Sequence, residues 1–173
     1  MKRVEYDLLA ARGFFEDEKV ELLFGMVVPM TPIDPAHRES VRRVHDMLLK
    51  QIGERARVYC QTSFAASDDS EPEPDVYVTP TAEYWTEHPS RSFLIVEVAL
   101  SSLRRDRAKR LVYGRADVDE YWIVNHVDGC VEVFRDLRNG AWETLTKHER
   151  GETLSPLAFP DVKIPIDEIL PPA

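Results

Sequence analysis

The chain has 173 residues, 43% of them hydrophobic and 31% charged, with a net charge of −9; this suits one ordinary globular domain over residues 1–173 with a single hydrophobic core. The acidity argues against avid binding of nucleic acid by the whole surface, because phosphate affinity comes mainly from Lys and Arg, but it allows a local basic patch beside an acidic site. No apolar run approaches the roughly 20 residues that span a bilayer, the N-terminus lacks a signal-peptide core, and Cys60 and Cys130 form neither a C-x-x-C pair nor a disulfide framework, so a cytoplasmic protein with no membrane partner is expected.

The elements follow in chain order. A short helix is predicted over 5–12. VELLFGMVVPM, residues 20–30, has apolar runs on both sides of Phe24-Gly25 and reads as a β-hairpin. In residues 35–53, Val41, Val44, Leu48 and Ile52 fall on one helical stripe. Asp34 suits the N-cap, Pro35 the first helical position and Gly53 the end. RVYCQ, and then TSFAAS, read as short strands before the polar turn DDSEPEP. DVYVT, residues 75–79, is a strand, and SFLIVEVAL, residues 92–100, is apolar enough to be buried on both faces. LRRDRAKRLVYGR reads as a helix and EYWIVN as the next strand, which makes a strand–helix–strand crossover and neighbouring parallel strands. CVEVFRDLRNGAWETLTK is a hairpin turning at Asn139-Gly140, and ILPPA is expected to fray. The fold class is α/β or α+β, with a mixed central sheet flanked by helices and extra β-hairpins.

Two acids stand out by position. Asp75 opens a strand directly after Pro74, and Glu97 lies inside the most apolar strand. An ionised carboxylate there is costly unless compensated. Either Glu97 sits near the strand end and pairs with an arginine, or it is a metal ligand. Two carboxylates brought to about 4 Å repel by on the order of 4 kcal/mol at an effective dielectric of 20, which a divalent cation would convert to attraction. Hard oxygen ligands favour magnesium, manganese or calcium over zinc. The five histidines, at 37, 45, 88, 126 and 148, show no metal-ligand spacing. Lys109 lies on the following helix, i to i+4 from both Arg105 and Tyr113. It either reaches back to the sheet or belongs to a solvated basic face.

The succession EPEPDVYV, FLIVEVALSS and RRDRAKRLVYGRADVDEYWIVN, preceded by VELLFGMVVPMTP and His37, resembles the signature of a large bacterial family of restriction-endonuclease-like proteins in the PD-(D/E)XK nuclease superfamily. The resemblance covers about residues 18 to 125. It implies a restriction-endonuclease-like fold and a metal-dependent endonuclease acting on DNA, with Mg2+ (or Mn2+) as cofactor. Asp75 matches the aspartate of the PD step and Glu97 the acid of the second motif; the Val98 carbonyl would be a further metal ligand. The superfamily's usual lysine position, two residues after the acid, is Ala99 here, and Lys109 is the match on the next helix. Asp75, Glu97 and Lys109 would be the catalytic set. Glu21, His37, Gln61, Arg105 and Tyr113 match supporting positions, His37 being either a substrate contact or a helix-start residue. Arg104, Arg105, Arg107 and Arg110 offer phosphate contacts, of which no more than two are expected to serve. Ala116-Asp117 and Asn125 depart from the family pattern at the helix exit and the site rim.

Cutting both strands of DNA calls for a homodimer, and the apolar hairpin 20–30 is either a subunit contact or core. Two other readings remain: a non-catalytic nucleic-acid-binding or assembly module on the same scaffold, and a hydrolase of another phosphoester.

Overall fold

The computed structural model describes residues 1–172. Its centre is a six-stranded sheet in the order β3-β4-β5-β6-β7-β8, where β3 is Arg57–Cys60, β4 Val76–Thr79, β5 Leu94–Ala99, β6 Tyr121–Asn125, β7 Cys130–Arg138 and β8 Ala141–His148. Neighbours pair antiparallel except β5 and β6, which run parallel through the crossover helix α3, Leu103–Arg115. This is the mixed, helix-flanked sheet expected from the sequence.

The period-2 alternation of the central strands sorts side chains between two cores. On one face, Val76, Val78, Val96, Val98, Trp122 and Val124 pack against helix α2, Pro35–Ile52, through its stripe Val41, Val44, Leu48 and Ile52. On the other face, Tyr77, Ile95, Ala99, Tyr121 and Ile123 pack against Val112 and Tyr113 of α3. Asp75 and Glu97 share the alternation of Tyr77 and Ile95, so both point toward the α3 face. The α2 start is as the sequence predicts: the Asp34 carboxylate accepts from the Ala36 and His37 amides at 2.9 and 3.0 Å, and Pro35 stands just inside.

The hairpin of β1, Val20–Leu23, and β2, Met26–Pro29, packs on Tyr6 of the N-terminal helix α1, Arg3–Ala11, through Val20 and Leu22, and joins the α3-face core through Leu23. All four β1 residues are buried, so this strand is core. Leu22 and Glu71 exchange both backbone hydrogen bonds, which ties β1 to the segment leading into β4.

Two expectations are corrected. TSFAAS forms no strand: the amides of Phe64, Ala65 and Ala66 bond to Pro72, Pro89 and Phe64 carbonyls respectively, so the chain folds back on itself instead of joining a ladder. The end does not fray as a whole. Strands β9, Thr153–Leu154, and β10, Ile164–Pro165, pair, the turn α4, Ile166–Ile169, follows, and Ile169 and Leu170 are buried on the α2 face. Burying these two aliphatic side chains outweighs the entropy of ordering a short tail. Ala173 lies outside the described residues. Among those described, no helix is long and apolar enough to cross a membrane.

The helix α3 comes close to the tip of the β7–β8 hairpin at Gly114. A Cβ there would lie 2.5 Å from the Gly140 carbonyl oxygen and 3.3 Å from Trp142 Nε1. Gly to Ala in a helix interior ordinarily stabilises by about 1 kcal/mol. Here overpacking against backbone reverses the sign, and Gly114→Ala is expected to cost about 1–3 kcal/mol in urea unfolding; unchanged or increased stability would refute the close approach.

Candidate active site

The site lies where β4 and β5 end against α3, and its geometry begins with a missing donor. The β4–β5 register pairs Val76 with Val96, so continuing it two residues sets Pro74 opposite Val98. Proline has no N–H, and β4 therefore offers the Val98 carbonyl no ladder bond. The Val98 amide is taken instead by the Asp75 side chain, which accepts from it through Oδ2 at 2.8 Å. The Asp75 amide in turn donates to Glu97 Oε2 at 3.3 Å. The two acids are thus locked together by backbone groups that a regular ladder would have consumed.

Each acid has further partners. Asp75 Oδ1 meets His37 Nε2 at 3.0 Å and accepts from Gln61 Nε2 at 3.3 Å. Glu97 Oε1 accepts from Lys109 Nζ at 3.0 Å and from the Tyr113 hydroxyl at 2.6 Å. No arginine pairs with Glu97 among the described residues, and Lys109 is only 5% exposed, so neither the arginine pairing nor the solvated basic face is found. Lys109 Nζ also lies 2.9 Å from Glu21 Oε2 on β1, whose carboxylate accepts from the Glu73 amide at 3.4 Å. The helical period delivers Lys109 and Tyr113 together, four residues apart on the buried side of α3.

The sequence pattern does not single out one further buried acid. Asp106 is 4% exposed and accepts from the Ser102 hydroxyl at 2.6 Å. Ser102, Asp106, Lys109 and Tyr113 form a polar stripe at helical spacing, and that stripe was the available signal. It was hidden because the helix is so rich in arginine that it reads as solvated.

Burial pushes Asp106 up to about 6, against Lys109 and the Ser102 hydrogen bond. Burial likewise raises Glu97; Lys109 opposes it, the charges of Asp75, Asp106 and Glu21 add to it, and the carboxyl reaches about 8. Asp75 moves the other way: burial would raise it, but the His37 contact, the Val98 amide and Gln61 together hold it below its usual value. Burial would lower the Lys109 ammonium, and Glu97, Glu21 and Asp106 outweigh that and raise it. His37 is raised too, Asp75 prevailing over burial.

A cavity of about 490 Å³ opens onto these groups; Asp75, Glu97, Val98, Asp106, Lys109 and Arg105 are among its lining residues. Arg105 donates to the Pro29 carbonyl at 2.8 Å and forms no ion pair with a carboxylate among the described residues. Arg107 is spent on Glu132 and Asp128, while Arg104 and Arg110 are exposed. The donor set of Asp75, Glu97 and the Val98 carbonyl is all hard oxygen, and four buried carboxylates (Glu21, Asp75, Glu97, Asp106) face one ammonium and one imidazole. Such a set fits a hard divalent cation. A second group, Asp128, Cys130 and Glu132, also clusters closely. There the negative charge is already met by Arg107 and Lys147, and Asn125 donates to both carboxylates at 2.9 Å.

Residues 4–167 match the family model Uma2, described as "Putative restriction endonuclease", and the chain belongs to that family. Among solved structures it is similar to a "putative nuclease belonging to DUF820" from Anabaena variabilis, with a TM-score of 0.73 and 13% identity over 88% of this chain and 90% of that one. At that identity the likeness is one of fold, the restriction-endonuclease-like fold. No curated protein matches.

The raised acids make stability depend on pH. A carboxyl with a folded pKa above its unfolded value binds more protons when native, so stability falls as pH rises through the interval between the two. For Asp106 that interval runs from 3.8 to about 6, and for Glu97 from 4.5 to about 8. The metal-free protein is expected to lose stability steadily from pH 4 to pH 8, and Asp106→Asn to recover roughly 2–3 kcal/mol at pH 8. Denaturant unfolding at four pH values in chelator measures both, and a flat or rising profile would contradict the assignment.

Proposed function

We propose that this member of the Uma2 family is a metal-dependent endonuclease that hydrolyses DNA phosphodiester bonds, with Asp75, Glu97 and the Val98 carbonyl as the metal-binding set and Lys109 as the catalytic cation. The observation that carries this reading is the convergence of two backbone-locked carboxylates and a buried ammonium at one cavity wall. A bound Mg2+, or Mn2+ in its place, supplies Lewis acidity toward a phosphoryl oxygen and lowers the pKa of water.

The chain's own residues do the rest. Lys109 is kept cationic by Glu97 and Glu21 and is fixed in place by them, so it meets charge growing on the phosphate without having to reorganise. Tyr113 donates to the same Glu97 oxygen as Lys109 and sets that carboxylate's orientation. His37 and Gln61 hold Asp75 from its Oδ1 side, leaving the carboxylate in one rotamer. Both are positioning residues. Arg105, at the cavity and unpaired with any acid, contacts a phosphate of the substrate; phosphate contacts fix register and read no sequence. Arg107, occupied by Glu132, is not available for that part.

Purified protein incubated with plasmid and with single-stranded DNA in magnesium or manganese tests the reading. Cleavage is expected to fall by roughly a hundredfold or more in Asp75→Ala, Glu97→Ala and Lys109→Met, and to vanish in chelator. Cleavage that persists unchanged in Asp75→Ala and Glu97→Ala would remove these residues from the site. Absence of both cleavage and manganese binding by calorimetry at millimolar metal would favour the non-catalytic module.

A further inference from the structure

Hydrolysis needs a destination for the proton of the attacking water, and most groups at the cavity are already committed. Lys109 is held as an ammonium by Glu97 and Glu21, so it has no lone pair to offer. Glu97 accepts from Lys109, Tyr113 and the Asp75 amide. Asp75 accepts from the Val98 amide and Gln61 and meets His37. Glu73, also at the cavity, pairs with Lys19 at 2.9 Å. Asp106 differs. It is buried, lines the same cavity and lies on α3 three residues before Lys109, yet it forms no ion pair among the described residues. The Ser102 hydroxyl donates to its Oδ2 at 2.6 Å, and Oδ1 has no hydrogen-bond partner among the described residues. Ser102 stands four residues earlier on the same helix side, so it fixes the carboxylate and leaves Oδ1 free. A buried carboxylate oxygen is costly unless something meets it.

We infer that Asp106 is the proton acceptor for the attacking water, with Ser102 as its positioning residue; the inference rests on the endonuclease reading above. In this step the water oxygen bonds to phosphorus while its proton passes to Asp106 Oδ1. The bond from phosphorus to the leaving ester oxygen breaks, its electron pair stays on that oxygen, and the oxygen takes a proton from solvent. Asp106 then gives its own proton to solvent.

The surroundings suit that part. Asp106 shares the site with Glu21 of β1, His37 of α2, Asp75 of β4, Glu97 of β5 and Lys109 of its own helix. Burial raises its carboxyl, Lys109 and the Ser102 hydrogen bond pull it down, Asp75 and Glu21 add to the rise, and it comes to about 6. It is therefore ionised at neutral pH and still basic enough to take a proton there. His37 is the remaining group with a basic atom, and its Nε2 is engaged by Asp75.

Cleavage of DNA at saturating magnesium, followed from about pH 5 to about pH 9, tests the inference. Wild-type kcat is expected to fall about tenfold per pH unit below the Asp106 pKa. Asp106→Asn is expected to lose roughly a hundredfold or more in kcat on the plateau, with KM unchanged and the acid limb gone. Ser102→Ala keeps the carboxylate and removes the bond that lowers its pKa, so its acid limb is expected to remain and move to higher pH; an unmoved limb would remove Ser102 from the assignment. Calorimetry with manganese is expected to show binding retained in Asp106→Asn, and loss of binding would make Asp106 a metal ligand instead. A substrate with sulfur in place of the leaving ester oxygen separates accepting a proton from donating one, because a thiolate leaves without protonation. Asp106→Asn is expected to stay slow on it, and recovery would make Asp106 a donor to the leaving group. An Asp106→Asn variant that cuts like wild type overturns the assignment, and one that keeps the acid limb passes the part to His37; both leave the metal-binding set standing. Wild-type protein that cuts no DNA removes the endonuclease reading and this assignment with it.

Discussion

The Lys109 ammonium sits 2.9 Å from Glu21 and 3.0 Å from Glu97 with almost no access to water, and the placement of three separate pieces of chain follows from keeping that contact. Burying an unpaired carboxylate costs several kcal/mol even after relaxation. The protein buries four within one region and gives two of them the same cation. Hydrogen bonds offset part of the remainder: Val98 to Asp75, Ser102 to Asp106, Tyr113 to Glu97. Negative charge remains in surplus: burial first, and the neighbouring carboxylates after it, displace Glu97 and Asp106 upward. A protein selected for stability alone would have filled this space with aliphatic side chains, as it does on the opposite face of the same strands.

The contact draws the secondary structure toward it. Glu97 requires β5 to present its α3 face, and the alternation that does so also buries Val96 and Val98 on the α2 face. Lys109 requires α3 to cross back over β5, which the parallel β5–β6 pairing achieves with a right-sized crossover. Glu21 requires the β1–β2 hairpin to come up against the loop before β4, and the Leu22–Glu71 bridge holds it there. Strand β1 is therefore core: all four of its residues are buried, and its acid reaches a buried lysine.

Much of this was legible in the residues, and what was not has identifiable causes. The period-3.6 stripe of α2, its Asp34-Pro35 start and the apolar run of β5 each announce one structure, because local propensity and tertiary burial agree there. Asp75 and Glu97 were visible as acids in places where acids are expensive. TSFAAS reads as a strand but forms none, because apolar character marks burial and not pairing: Phe64, Ala65 and Ala66 are buried, yet in a segment that bonds to its own turns. The strands β9 and β10 are two residues each and pair across an intervening loop, which leaves no period to detect. The order of the tail comes from Ile166, Ile169 and Leu170 meeting α2, a partner more than a hundred residues away. Asp106 was concealed by its arginine neighbours, since composition averages over a helix whereas burial acts on one stripe.

On the proposed assignment of Lys109, the site keeps its charges while changing its scaffold. In the superfamily pattern that the sequence resembles, the cation follows the acid on the same strand, at the position of Ala99. That residue has the same alternation as Glu97 and is fully buried beneath α3, in one cluster with Val112 and Tyr113. A lysine there would have to occupy the space in which α3 packs, and the helix would be held away from the sheet. A methyl group at 99 lets α3 settle close enough for Lys109 to reach Glu97 from above. The exchange brings Tyr113 with it on the same helical face, four residues on, and lets Glu21 of β1 grip the ammonium from the far side. A cation carried on the strand would be fixed by one element alone. Carried on the helix it is fixed by three, and its position depends on the packing of the whole α3 face.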